Sequence, residues 1–285
     1  MVHYYFGRLS EAAAASERGY VHAELAQDAQ QQGNHRLVRT VAAQWGFTPL
    51  DQVEHMLEDD LAWARTTGSL GVEAKTTLRL AVVRVARGDQ KAGDVLFARG
   101  LSSCADLGME LWAASFVGCW IFGLTDDLQV AEARLRQSYD TLAAAGRRNV
   151  LSTVATFFAE CLYRQGRYEA ADDLLDVAAE AGADDDFVTQ VRLRAGRAKL
   201  LARRGDLVEA EALAREAVAI AAQTEYIDLR GDSLLALGEV LQLAERQEEA
   251  AEVMRSALAL WDAKGNVAYA GRTRSLLGEL DAARS

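Results

Sequence analysis

The stretch LYRQGRYEAADDLLDVA, residues 162–178, decides the fold. It reads as the end of one helix at Gly166, a tight corner, and a second helix opening near Tyr168 with small Ala171 and Ala178 inside. A matching sentence returns as LLARRGDLVEAEALAREA (200–217), with Gly205, Ala210 and Ala217 in the equivalent places. It returns again as LQLAERQEEAAEVMRSA (241–257), with Ala250 and Ala257. Aligned on the alanine, the steps are 210 − 171 = 39 and 250 − 210 = 40. A fixed period of that size marks a helical-repeat solenoid.

Composition agrees. The chain has 285 residues, long for one compact core but ordinary for an array that grows by stacking. Half of the residues are hydrophobic, alanine is abundant and Pro49 is the only proline. Alanine is the best intrinsic helix former, and a chain with so little proline has few forced breaks, so the expected class is all-α. A formal net charge of −11 argues against a nucleic-acid surface and against a polybasic membrane anchor. Cys104, Cys119 and Cys161 are odd in number and far apart, which suits reduced, buried thiols. No run of roughly 18 apolar residues occurs, and MVHYYFGRLSEA lacks a basic-then-apolar leader pattern. The expectation is a soluble, cytoplasmic protein.

Two sets of punctuation alternate along the chain. Gly33, Gly68, Gly108, Gly146, Gly182 and Gly265, with Thr224 in one gap, read as hairpin closers. Gly19, Gly46, Gly88, Asp126, Gly166, Gly205 and Glu245 read as the corners within hairpins. Glycine just past a helix supplies the left-handed residue that ends it. The map is seven hairpins, at 2–32, 34–67, 69–107, 109–145, 148–181, 184–223 and 225–264, with a capping helix at 267–283 over the apolar end of the stack. Pro49 sits where a helix can start, and Asp184 to Asp186 suit a helix N-terminus better than a calcium loop, because no spaced ligands or closing glutamate follow.

The corner-plus-alanine pattern resembles the tetratricopeptide repeat, stretched from its usual ~34 residues. The match is best in hairpins five to seven and weakest in one and two. The closing proline is absent throughout, and Ala155 stands where the first-helix tryptophan is usual. The segments beginning at Val188 and Leu229 are similar to the C-terminal repeat region of bacterial cyclase–ATPase and related transcriptional-regulator signalling proteins. That resemblance implies a right-handed α-solenoid with a regulatory or sensor role, either as a piece of a longer protein or as a free-standing relative.

Motifs for chemistry are sparse. There is no GxxxxGK[ST], GxSxG or HExxH, and no nucleophile–base–orienter set, so no reaction can be written. His3, His22, His35 and His55 cluster in the first fifth of the chain, but their spacings fit no metal-ligand pattern. No cofactor or metal is expected.

Function therefore rests on the groove. In a tetratricopeptide array the first helix of each hairpin lines the concave face. About six residues before each corner stand Ala42, Val82, Trp120, Glu160, Lys199 and Glu239. Four residues earlier stand Val38, Leu78, Phe116, Thr156, Ala195 and Leu235, neighbours on the same helix faces. The groove thus runs from aromatic, at Phe116 and Trp120, to charged beyond Glu160. Arg192, Lys199 and Arg203 share one helix face, with Tyr163 and Arg164 alongside. The candidate binding residues are Phe116, Trp120, Glu160, Tyr163, Arg164, Arg192, Lys199, Arg203 and Glu239. Glu160, Lys199 and Glu239 have a competing role, as a salt-bridge ladder between neighbouring helices. Three readings follow: a non-catalytic module binding a protein or peptide, a sensor clamping a small anionic or amphipathic ligand, and, remotely, an enzyme using the groove. A homo-oligomer is compatible with all of them.

Overall fold

The computed structural model describes residues 7–283. Among them are fourteen α-helices, one 3-10 turn and no strand. In chain order the first seven helices are α1 Leu9–Leu25, α2 Ala29–Trp45, α3 Leu50–Thr67, α4 Leu70–Ala86, α5 Gln90–Asp106, α6 Glu110–Trp120 and α7 Leu128–Ala144. There follow α8 Arg148–Arg164, α9 Tyr168–Ala181, α10 Phe187–Arg204, α11 Leu207–Ala222, α12 Ile227–Leu243, α13 Gln247–Lys264 and α14 Val267–Ala283. The 3-10 turn is Ile121–Gly123. The protein is an all-α helical repeat.

The corners have the backbone they need. Gly166 and Gly205 adopt left-handed φ of +76° and +94°, where a side chain would be strained. Glu245 makes the equivalent turn at φ +60° without glycine. Aspartates cap several helix starts: Asp28, Asp89, Asp127 and Asp186 each accept a bond from a backbone N–H in the first turn. Inside the hairpins, Ala171, Ala178, Ala210, Ala217, Ala250 and Ala257 are buried. A methyl at each joint lets α8 close on α9 and α10 on α11, and α8 also packs on α10 one repeat on.

The first hairpins differ from the map. Gly19 and Gly33 are not turns; they lie within α1 and α2, and the chain turns instead at Ala26–Asp28, with Gln27 at φ +55°. The hairpin boundary at 32–34 is therefore replaced by a helix that runs on to Trp45. Both glycines are small for packing: a Cβ on Gly19 would lie 2.2 Å from the His35 ring, and one on Gly33 2.7 Å from Val72. The part of the first hairpin before residue 7, with His3, lies outside the described residues.

Two compact units are present. The first holds residues 7–110 with the short stretches Thr224–Ile227 and Asp262–Ala268. Its core packs Leu50, Val53, Leu57 and Leu61 of α3 against Leu80 and Val83 of α4. Glu225 accepts bonds from the Ser10 N–H at 2.5 Å and the Ser10 hydroxyl at 2.6 Å, at the start of α1. Lys264, buried, donates to the carbonyls of Ala43, Gly46 and Thr48 at 2.9, 2.5 and 2.7 Å, where α2 ends. An anion at a helix N-terminus and a cation at a C-terminus are each favoured by the helix dipole.

The second unit holds Leu111–Gln223, Asp228–Trp261 and 269–283. Its core joins Ala198 and Ala202 of α10, Ala210 and Ala214 of α11, Leu237 and Leu241 of α12, Met254 of α13 and Leu280 of α14.

Candidate binding groove

The second unit contains a groove of about 1190 Å³, lined by α8, α10, α12 and α14, with contributions from the 3-10 turn, α7, α9 and α13. Its apolar lining includes Phe122, Leu128, Val191, Leu200, Leu235, Leu243 and Leu276. Seven of the nine sequence candidates lie on it: Glu160, Tyr163, Arg164, Arg192, Lys199, Arg203 and Glu239.

Phe116 and Trp120 do not line this groove. Phe116 is buried and stacked between Trp112, at 5.3 Å between ring centroids, and Trp120, at 6.2 Å. Helix α6 stops at Trp120 and tightens into the 3-10 turn, so the alanine-based register ends there and Phe122 is the aromatic that reaches the groove.

The charged floor is a row at the repeat period: 199 − 160 = 39 and 239 − 199 = 40. Successive first helices place equivalent positions side by side, so Lys199 of α10 reaches both neighbours. Its ammonium pairs with Glu160 of α8 and lies 3.9 Å from Glu239 of α12. It also stands 4.2 Å from the Tyr163 ring centroid. Tyr163 donates its hydroxyl to Glu239 at 2.5 Å and accepts from Arg203 Nε at 2.9 Å. Arg203 also bonds Glu239 at 3.1 Å. This is the predicted ladder, with Tyr163 and Arg203 added to it.

The electrostatics follow from burial and pairing. Burial alone pulls the Lys199 pKa down, but Glu160 and Glu239 outweigh it, and the net shift is upward. Burial and then the Glu239 carboxylate push Tyr163 up, so its phenol keeps its proton. The hydrogen bond with Tyr163 raises Arg203. Burial pushes the Cys119 thiol up to about 12. Each shift favours a fixed charge or a held proton at neutral pH, the opposite of the tuning that proton transfer needs.

Several groove residues escaped sequence reasoning. Arg192 pairs with Asp232 of α12 at 2.6 Å, and Asp232 is 40 residues on, the repeat step itself. Helix α14, expected only as a cap, presents Tyr269, Arg272, Leu276 and Glu279 at spacings of three and four. Arg272 donates to the Phe122 carbonyl at 2.8 Å and pairs with Asp126. That spacing on a terminal helix was the available signal.

Among the described residues no group of three His, Cys, Asp or Glu side chains has the placement to hold a metal, and no helix is long and apolar enough to cross a membrane. No protein-family model matches the chain, and no curated protein matches it. Among solved structures it is similar to the crystal structure of BtubC (BKLC) from P. vanneervenii, at 16% identity and a TM-score of 0.34, over 90% of this chain and 91% of that one. A likeness of that size identifies neither relative nor role.

Proposed function

We propose that the chain is a non-catalytic binding module of tetratricopeptide type, a right-handed solenoid that takes a polypeptide segment of a partner in its groove. The reading places it in the cytoplasm, as the regulatory or sensor part of a bacterial signalling or transcription-control system. One observation carries it: the groove is built from positions that recur at the repeat step on α8, α10 and α12, and its volume is about 1190 Å³. Small-ligand pockets commonly span roughly 300–1,000 Å³, and a volume just above that range leaves room for a short peptide segment. The lining alternates apolar residues with a charged floor, which matches the mixed chemistry of a peptide.

Ala195 lines the groove on α10, and Ala195→Trp would fill it. A partner captured by the wild-type chain, reduced to a synthetic segment, is expected to lose at least tenfold in affinity for this variant. Equal affinity for both proteins would sink the proposal.

A further inference from the structure

Helix α14 carries two glycines that the packing around it does not require. Other glycines inside helices mark close approaches: a Cβ would lie 2.6 Å from Leu78 at Gly100, 2.6 Å from Val154 at Gly118 and 2.7 Å from Met254 at Gly238. At Gly231 it would run into the Trp261 ring. At Gly271 and Gly278 it would meet nothing within 4 Å among the described residues. Glycine in a helix interior is disfavoured against alanine by about fivefold in the helix–coil equilibrium. Two of them on an open face weaken α14 without admitting a neighbour.

The helix has three faces. Tyr269, Arg272, Leu276 and Glu279 line the groove. Ala270, Thr273 and Leu280 are buried, and Leu277 is partly buried beside them. Gly271, Arg274, Gly278 and Asp281 are exposed. At 3.6 residues per turn these sets occupy separate sectors of roughly 120° each. The anchor is light. Leu280, in the core with Leu237, Leu241 and Met254, is the one large side chain of α14 with no exposed surface. Thr273 spends its hydroxyl on the Tyr269 carbonyl of the same helix. On the groove side Arg272 ties α14 to the Phe122 carbonyl at 2.8 Å and to Asp126, whose side chain is 65% exposed. An ion pair open to solvent adds little hold.

We propose that α14 is a displaceable wall of the groove, and that the partner's segment is an amphipathic helix that competes for its seat. The proposal rests on the binding role given to the groove. The incoming helix presents aliphatic residues at the spacing of Ala270, Thr273, Leu277 and Leu280, and covers the apolar face that Leu280 covers when α14 is docked. A detached α14, with its two glycines, is largely coil in water, so docking and helix formation are one event. The partner's apparent affinity is then reduced by the docked fraction, and the glycines keep that fraction within reach of competition.

A fluorescein-labelled peptide of residues 267–283, added to the full chain, is the probe, because it binds where α14 has left its seat. Gly271→Ala with Gly278→Ala fills open space and stabilises the docked helix, by about tenfold for the two together. Hydrogen exchange through α14 is expected to slow by that factor with α12 unchanged, and probe binding to weaken by the same factor. Leu280→Asp is expected to bind the probe at least tenfold more tightly than the wild type; the alanine variant tests the idea without it. Exchange and probe binding that the alanines leave unchanged would overturn the displaceable wall. A segment captured from a partner that loses affinity for Ala195→Trp but not for the alanine variant would also overturn it, with the groove reading left standing. A captured segment indifferent to both variants would overturn both readings. A dimer that Gly271→Leu dissociates would assign the glycine face to a second copy of the chain and overturn the proposal.

Discussion

Lys199→Met asks whether the charged row of the groove holds the repeats together. Methionine keeps most of the stem and deletes the ammonium. The Lys199 side chain is only 7% exposed, whereas Glu160 and Glu239 retain 30% and 27%. At the 3.9 Å separation from Glu239, a Coulomb attraction at an effective dielectric of ~20 is about 4 kcal/mol before desolvation. Breaking a fully buried pair typically costs about 3–5 kcal/mol. Here both carboxylates can turn to water, and Glu239 keeps Arg203 and Tyr163. The expected loss is therefore about 1–3 kcal/mol. The decisive assay is a double-mutant cycle of Lys199→Met with Glu160→Gln, read by urea unfolding at pH 7. A ladder predicts a coupling of about 1 kcal/mol or more, within the usual range for residues in one network. A coupling below about 0.3 kcal/mol would refute the structural role and leave the row to ligand contact alone.

Other perturbations reach other parts of the argument. Lys264→Met strands three carbonyls at the end of α2 and should cost about 3–5 kcal/mol, with faster amide exchange through the last turn of α2; a loss under ~1 kcal/mol would refute it. Ala210 is fully buried, so Ala210→Leu should overpack the α10–α11 joint by roughly 1–3 kcal/mol, and an unshifted melting temperature would show that the joint has slack. Arg167 and then Arg136 hold the Glu132 carboxyl down from 4.5 to about 2. A depressed folded-state pKa gives stability that is present above about 4.5 and disappears as pH falls through 2. Glu132→Gln should therefore lower the urea midpoint at pH 6 and leave it unchanged near pH 2; equal effects at both would exclude the ion pair as the cause.

The C-terminal repeats were legible because their constraints are local. A left-handed corner at Gly166 or Gly205 and a methyl-sized joint at Ala171 or Ala210 act within a few residues, so they recur in the sequence wherever they recur in space. Gly19 and Gly33 misled because glycine serves two purposes, turning a chain and admitting a close neighbour, and only the partner helix tells which applies. The ladder from Glu160 to Glu239 was legible for the same reason as the corners: the period itself predicts adjacency. Phe116 and Trp120 failed when a 3-10 turn shifted the register that the alanines set. Lys264 could not be foreseen, since its carbonyl partners lie 216 to 221 residues away.

The local character of the repeat also explains where binding chemistry can reside. Corner and joint positions are constrained, because a Cβ at a left-handed residue costs strain, as Glu245 accepts at its corner, and a bulkier group at a buried alanine overpacks the hairpin. Groove positions carry no such demand. Thr156, Ala195 and Leu235 differ in size and polarity, and Glu160, Lys199 and Glu239 alternate in charge, while sitting on equivalent turns of equivalent helices. Some of that freedom goes into the ladder, which adds charge pairing between α8, α10 and α12 to the apolar packing of α10 with α12. Beside it, Arg192 pairs with Asp232 and Arg272 with Asp126, so charge also links α10 to α12 and α14 to the segment after the 3-10 turn.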